Sequence, residues 1–330
     1  MSSPSLSMAI ASYGCTRAIK NGDVPLRGVD VRPVEVSPII AAFRRMVRDL
    51  EFDICELAPT TYVIARAAGV PITALPIFLS RRFHHSGLQV RTDAGIDAPK
   101  DLEGKKVGVR AYSVTTGVWT RGILANEYGV DNDRIEWIVD DEEHVTSLKL
   151  PPNVSHAPEG KSLSAMMASG EIQAGFTSRA GIGRSGAPTA GWEAAGKDDT
   201  PGYRELFDNA PELEAAWYRK TGVYPVHGCV VVRNDVLRAF PFLPDVLFEA
   251  FEEAKQRWLA DLRSGAPDVP DRDKYAGVIP FVGEDPLPNG LEANRATLET
   301  LVTYAWQQKL IPRRIPVEEL FLDTRKANAA

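Results

Sequence analysis

The chain has 330 residues, 44% of them hydrophobic and 25% charged, an ordinary globular composition with length enough for two lobes. Its formal net charge of −6 argues against a nucleic-acid binder, which would carry a basic stripe, and no apolar stretch approaches the length of a membrane span. The three cysteines, Cys15, Cys55 and Cys229, are far apart and form no CxxC pair, so they read as small core residues rather than as a zinc or dithiol motif.

Ser7–Ala11 reads as a short strand leading into Tyr13-Gly14-Cys15-Thr16-Arg17. Val29–Val36 alternates apolar and polar residues, as a half-buried strand does, and Pro38 starts a helix with Ile39, Ile40, Phe43, Met46, Val47 and Leu50 at helical spacing. Phe52–Leu57 is a short buried strand. Glu56 at its end could accept hydrogen bonds from ligand hydroxyls, or serve a salt bridge to Arg82 or a helix cap. A helix over about Thr60–Ala68 ends at Gly69, and Pro71–Phe78 is the next strand. This order predicts a largely parallel sheet covered by helices.

Between the apolar runs Ala74–Leu79 and Gly87–Val90 lies Arg81-Arg82-Phe83-His84-His85-Ser86, which holds two of the five histidines. Such groups beside buried strands are costly unless they meet an anion or each other. Arginine grips carboxylates with two parallel hydrogen bonds, and histidine moves protons near neutral pH. The segment therefore reads as the edge of a site for a small acidic molecule, or as a hinge whose charges are solvated or paired internally.

A second α/β pattern follows Asp101–Lys105: a strand at Val107–Val109, a helix Thr115–Tyr128 closed by Gly129, a strand Ile135–Val139, a helix Ser162–Ser169 stopped by Gly170, and a strand Ile172–Phe176. Tyr112-Ser113-Val114-Thr115-Thr116 precedes the first of these helices, where free N–H groups and the Thr115 and Thr116 hydroxyls form an anion seat. Trp119 is either a stacking surface for an aromatic ring or a core residue. Arg179 is a carboxylate ligand or a solvated loop residue. His144 and His156, in a polar loop, read as incidental. Tyr224–Val232 is a buried strand with His227 at its entrance. Asp245–Leu262 is an amphipathic helix, about 264–289 a loop rich in Pro, Gly and Asp, and Leu291–Gln308 a final helix burying Leu298, Leu301, Val302, Ala305 and Trp306.

Several of these segments resemble the 4,5-dihydroxyphthalate decarboxylase family, within the type 2 periplasmic-binding-protein-like fold, over nearly the whole chain. They are Glu51–Leu57; Arg82-Phe83-His84-His85-Ser86, similar to the family's Arg-Phe-Arg-His-Ser; Asp101–Val109; Tyr112–Thr116 with Trp119, Arg121 and Gly122; Tyr224-Pro225-Val226-His227; and Asp285-Pro286-Leu287-Pro288. Two departures stand out. Tyr13-Gly14-Cys15-Thr16 occupies the place of the family's Tyr-Asp-Arg-Thr, and His84 that of its second arginine. Two cations expected near a ligand are absent, which leaves Arg17 or Arg81 to compensate, or a changed substrate.

The resemblance implies an α/β, two-lobed fold with a cleft between the lobes. Lobe one would comprise 1–97 and 227–330 and lobe two 98–226, with Leu88–Val90 and Cys229–Val232 pairing at the crossover. It implies a decarboxylase of a hydroxylated aromatic carboxylate; the alternative is a solute-binding protein that captures such a molecule without chemistry. His85 or His227 would be the general acid toward the ring carbon that loses CO2, with Glu56 orienting the histidine or a ligand hydroxyl. Arg82 would grip a carboxylate, and His84, Tyr112, Thr115, Thr116, Trp119 and Arg179 would complete the binding surface. No cofactor is expected. A divalent metal on His84, His85 and Glu56 is disfavoured because adjacent residues of an extended strand point to opposite faces. The expected partner is a small aromatic carboxylate, neither nucleic acid nor membrane, and a homo-oligomer stays open. Met1–Ala11 shows no basic or adequately apolar leader pattern, so a cytoplasmic location is expected.

Overall fold

The computed structural model describes residues 4–184 and 202–323. Two compact units emerge: the first from Met1–Arg82, Thr221–Thr300 and Ile315–Ala330, the second from Phe83–Lys220 and Leu301–Arg314. Among the described residues the strands are β1 (Ser5–Ala9), β2 (Asp30–Pro33), β3 (Ile54–Leu57), β4 (Ile72–Arg81), β5 (Leu88–Arg91), β6 (Lys106–Gly108), β7 (Glu136–Val139), β8 (Val154–His156), β9 (Ala174–Phe176), β10 (Tyr203–Glu205) and β11 (Val226–Arg233).

The first unit is built on a five-stranded sheet in the order β2-β1-β3-β11-β4. β1, β2 and β3 run parallel, and β11 is antiparallel to both β3 and β4. The C-terminal ends of β1, β3 and β4 therefore share one sheet edge with the start of β11. All four residues of β3 are buried, as in a strand covered on both faces. One layer of the core joins Met8, Ile54, Leu75, Ile77 and Val230 of the sheet to Leu247, Ala250 and Phe251 of the helix Leu243–Ser264. Each fully buried Leu, Ile or Phe there contributes about 1.5–3 kcal/mol.

The second unit carries a six-stranded sheet in the order β10-β5-β9-β6-β7-β8. β6, β7, β8 and β9 are mutually parallel, and β5 is antiparallel to β9 and β10. The ends of β6, β7 and β9 thus share an edge with the start of β5. The helices Thr115–Tyr128 and Leu163–Ser169 stop where the pattern predicts, at Gly129 and Gly170, whose φ of 64° and 80° lie in the left-handed region that glycine adopts without steric cost.

The expected crossover pairing does not form. Leu88–Val90 pairs with β9, Leu88 facing Phe176, whereas Cys229 faces Leu57 and Phe78. β4 runs on to Arg81, and β5 takes both its partners inside the second unit, so the chain changes unit after Arg82 rather than near residue 97. Residues 301–314 also count with the second unit rather than the first: Tyr304 packs on Trp119, and the Gln308 side chain accepts a hydrogen bond from Arg121. The segment read as a loop over 264–289 contains two short helices, Arg272–Ala276 and Ile279–Val282. The helix Ala210–Thr221 escapes the sequence pattern because it buries little beyond Ala210 and Trp217. Trp306 is 46% exposed rather than buried. Among the described residues no helix is long and apolar enough to cross a membrane.

Candidate active site

In the first unit, chemistry-bearing side chains gather at the edge where β1, β3 and β4 end. Glu56 is 2% exposed, and its carboxylate accepts the Ala11 N–H at 3.0 Å and the Tyr13 hydroxyl at 2.7 Å. Burial raises its pKa; those two hydrogen bonds, and Lys274 and Lys20 through the field, hold it partly back. The Tyr13 phenol is driven far above its ordinary range, first by burial and then by Glu56, so it remains a donor. A Cβ at position 228 would lie 2.9 Å from Glu56 Oε1; Gly228 on the neighbouring strand leaves that space to the carboxylate.

Val226 faces Arg81 and Gly228 faces Ser80, so His227 is the extra residue of a bulge in β11. Bulges of this kind re-aim a side chain at a sheet edge. The two arginines differ in environment. Arg81 is 2% exposed, donates to the Tyr224 carbonyl at 2.7 Å and lies against the Phe78 and Tyr224 rings. It is a packing element, not a substitute ligand cation. Arg82 is exposed, yet desolvation lowers its pKa, as for an open side chain ringed by protein atoms. Its backbone N–H reaches the Pro225 carbonyl at 3.3 Å, carrying the β4–β11 ladder one residue further. Arg17 is exposed on the short helix Arg17–Lys20.

Two members of this cluster were not foreseen. Tyr13 stands in a turn whose importance was legible only through its neighbours. Lys274 comes from the helix Arg272–Ala276; its Nζ donates to Ser80 Oγ at 2.7 Å and sits 5.8 Å from the Tyr13 ring centre and 4.8 Å from that of Tyr275. The packing also accounts for both departures in the turn. A Cβ on Gly14 would come within 2.1 Å of Trp258 Nε1, and Cys15 is buried with Trp258, Leu259, Tyr275 and Leu287. Asp285-Pro286-Leu287-Pro288 is a fastening: Lys255, 3% exposed, donates to Asp285 at 2.7 Å and to the Leu287 carbonyl at 3.2 Å.

The second unit holds the remaining expected residues. His84 is 1% exposed and stacks on Trp119, their planes 6° apart with centres at 6.5 Å. His85, also 1% exposed, lies among Tyr128, Phe207 and Trp217, and its Nδ1 has no hydrogen-bond partner among the described residues. Burial lowers its pKa to about 4, with Glu127 opposing, so near pH 7 it lacks an imidazolium proton to give. Trp119 has no exposed surface and Tyr112 only 2%; they pack with Tyr304 and Trp137 and offer no face to a ligand in this conformation. Arg121 is fully buried under the Tyr112 ring, 3.9 Å away, and donates to Gln308 at 2.7 Å and to the Tyr112 carbonyl.

Thr115 and Thr116 are buried at the helix start, and Val114 rather than a hydroxyl residue takes the capping position. The N–H groups before the helix do bind a carboxylate, but the chain supplies it: Tyr112 N donates to Glu143 Oε1 at 2.7 Å and Ser113 N to Oε2 at 3.2 Å. Arg179 is exposed in the turn Ser178–Ala180. Beside that edge lies a buried network the sequence did not announce. Arg110 meets Asp141 at 3.2 Å, and Arg184 bonds Asp140 and approaches Asp141 at 3.7 Å. His144 is buried and His156 exposed. Among the described residues no group of three or more His, Cys, Asp or Glu is arranged to hold a metal ion.

Comparison with known proteins adds three findings. Residues 28–185 match the profile of the family described as ABC transporter, phosphonate, periplasmic substrate-binding protein. Two curated relatives carry the name 4,5-dihydroxyphthalate decarboxylase. The one from Comamonas testosteroni is 33% identical over 333 residues, covering 97% of each chain. The one from Pseudomonas putida is 37% identical over 188 residues, covering 54% of this chain and 72% of its own. Among solved structures, the periplasmic aliphatic sulphonate binding protein SsuA from Escherichia coli superposes with a TM-score of 0.56 at 12% identity, covering 97% of this chain and 98% of that one. This likeness establishes the periplasmic-binding-protein-like α/β fold.

Proposed function

The chain belongs to the 4,5-dihydroxyphthalate decarboxylase family of enzymes, and from that premise we propose that it releases CO2 from a hydroxylated aromatic carboxylate at the sheet edge of its first unit. The observation that carries this placement is buried Glu56, hydrogen-bonded to Tyr13 where β3 ends, at the same sheet edge at which β4 ends and exposed Arg82 follows.

Loss of CO2 from an aromatic ring needs a proton at the carbon that loses it and stabilisation of the charge the ring develops. A ring hydroxyl ortho or para to that carbon shares the charge. Glu56, with Tyr13, is placed to accept a hydrogen bond from such a hydroxyl. Arg82 holds a carboxylate through charge-assisted hydrogen bonds. The proton donor is His227, which stands on the bulge beside the glycine that makes room for Glu56. His85, neutral in its aromatic surroundings, does not fit that role at pH 7 and acts as packing, with His84, Trp119 and Tyr112.

A panel of hydroxybenzoates and phthalates, assayed for CO2 release with thermal shift in parallel, tests the reading. CO2 release from at least one member is expected. Stabilisation by several members with no CO2 from any would replace it with ligand capture alone.

A further inference from the structure

We infer that Lys274 is a positioning residue for Glu56: its ammonium, seated over the Tyr13 ring, keeps that buried side chain in the charged form that best accepts a hydrogen bond. The inference rests on the decarboxylase reading of the same sheet edge, in which Glu56 accepts from a ring hydroxyl. Three observations carry it. The first is the line of contact. Lys274 Nζ lies 5.8 Å from the centre of the Tyr13 ring, and the hydroxyl of that ring donates to Glu56 Oε1 at 2.7 Å. One phenol therefore spans the ammonium and the carboxylate. A cation over a phenol face is attracted to the ring and draws electron density from it, which makes the O–H a stronger donor to its acceptor.

The second is the scarcity of other charge around Glu56. Among the described residues its carboxylate meets the Ala11 N–H and the Tyr13 hydroxyl but no cation directly. A buried carboxylate without an ion pair tends to take up a proton instead. Burial indeed raises its pKa, and the Ala11 N–H, Tyr13, Lys274 and Lys20 oppose the rise, in that order. The titratable groups about it are Tyr13 and Cys15 from the turn, Cys55 from its own strand, Cys229 and the bulge residue His227 from β11, Lys20 and Lys274. The phenol and the three thiols are driven up by burial and carry no charge near pH 7. Lys20 is already engaged: its Nζ pairs with Glu35 at 2.9 Å and donates to the Ile10 carbonyl at 3.1 Å. The Lys274 hydrogen bond goes to a neutral hydroxyl, Ser80 Oγ, at 2.7 Å, and no carboxylate of the described residues lies within ion-pair distance of it. Of the two lysines, Lys274 is the one whose charge no paired acid cancels.

The third is that the support of Lys274 is fastened to the turn that carries Tyr13. Asp271, at the start of the Lys274 helix, has a φ of 62°, and its carboxylate accepts the Gly14 N–H at 2.8 Å. Trp258, lying against Gly14, donates from Nε1 to the Pro270 carbonyl at 2.8 Å. The ammonium and the phenol are thus held on one piece of structure. A group that sets its neighbour's charge through the field needs such a fixed distance, because the effect falls off with separation.

The test follows the Glu56 carboxyl carbon by NMR in the full chain as pH is varied, its signal assigned by its loss in Glu56→Gln. Lys274→Met is expected to raise the Glu56 midpoint by about one pH unit, the scale for removing one nearby opposite charge. Lys274→Arg should keep the midpoint near that of the wild type, and Lys20→Met should move it less than Lys274→Met does. Lys274→Gln, which retains a donor for Ser80, serves if Met loosens the fold. The acid limb of CO2 release should move up with the midpoint, a deficit of about 10-fold at low pH that narrows as pH rises. A lysine serving packing alone would lower the rate by one factor at every pH. An unmoved Glu56 midpoint in a folded Lys274 variant overturns the inference, as does an equal rise in Lys20→Met. A midpoint that moves as expected in a protein that frees no CO2 from any hydroxybenzoate or phthalate defeats the decarboxylase reading and leaves the coupling of Lys274 to Glu56 standing.

Discussion

Glu56 and His85 are both buried titratable groups, and they act on stability in opposite senses. The folded-state pKa of Glu56 is raised by burial. From its unfolded value upward, the native state binds more proton than the unfolded state. Its protonated form is the one folding favours, and stability falls as pH rises through the folded pKa. Glu56→Gln should flatten that fall in a urea-denaturation series against pH, and should lower CO2 release by about 100-fold, because the ring hydroxyl loses the carboxylate that accepts its hydrogen bond. For His85 the folded pKa is depressed to about 4 from 6.5. Its contribution is present above pH 6.5 and lost as pH falls toward 4, because the unfolded state takes up a proton the native state refuses. His85→Phe should remove up to about 3 kcal/mol of that acid sensitivity. At Arg82, replacement by Ala should weaken carboxylate binding by about 1.5–3 kcal/mol, read by calorimetry; unchanged affinity in a folded variant would take Arg82 out of the site.

At the scale of elements, the helix Thr115–Tyr128 shows how a segment that resembles a binding motif is chiefly a packing device. A Cβ at Gly122 would come within 1.9 Å of the Tyr304 ring. Gly122→Ala should therefore lower stability by about 1–3 kcal/mol through overpacking, a loss a thermal melt would register. The sequence revealed that helix to its last residue because a left-handed glycine ends it, and it revealed β3 because its apolar run is short and bounded. It could not show that Tyr112, Trp119 and Arg121 turn into the core: an aromatic or an arginine near a helix start looks the same whether it faces a ligand or a neighbour. Nor could it reveal Lys274. The five-residue helix that carries it has no periodic pattern, and its position depends on Trp258 and Asp271 meeting a turn more than 240 residues earlier in the chain. The pairing of β5 was misjudged for a related reason, since an apolar run records that a strand is buried but not which strands bury it.

At the scale of the whole molecule, the spaced motifs pointed to the family, and the chain belongs to it; its length suited two lobes, and the contacts gather into two compact units. The limits of the units were less legible, because residues 83–97 and 301–314 are assigned by contacts made far along the chain. The chemistry proposed for the first unit uses side chains alone, and the described residues offer no cluster of metal donors. Exhaustive treatment with a chelator, followed by assay in metal-free buffer, should leave CO2 release unchanged; loss of activity restored by one divalent ion would reassign the electrophile.

All three cysteines fall in the first unit and are buried, at 4%, 0% and 0% exposure for Cys15, Cys55 and Cys229. Burial drives the Cys15 thiol up to about 12 and raises the other two as well, so the thiolate that alkylating reagents require is scarce while the unit stays closed. Their labelling rate is therefore a clock for the transient opening of that unit, and it is silent about the second. Ligand seated at Glu56 and Arg82 should slow the clock by the factor 1 + [L]/Kd, the inverse of the unoccupied fraction, when only the closed unit binds. A ligand held by the second unit alone should leave it running at the same pace, so iodoacetamide followed by mass spectrometry can assign a bound molecule to its unit.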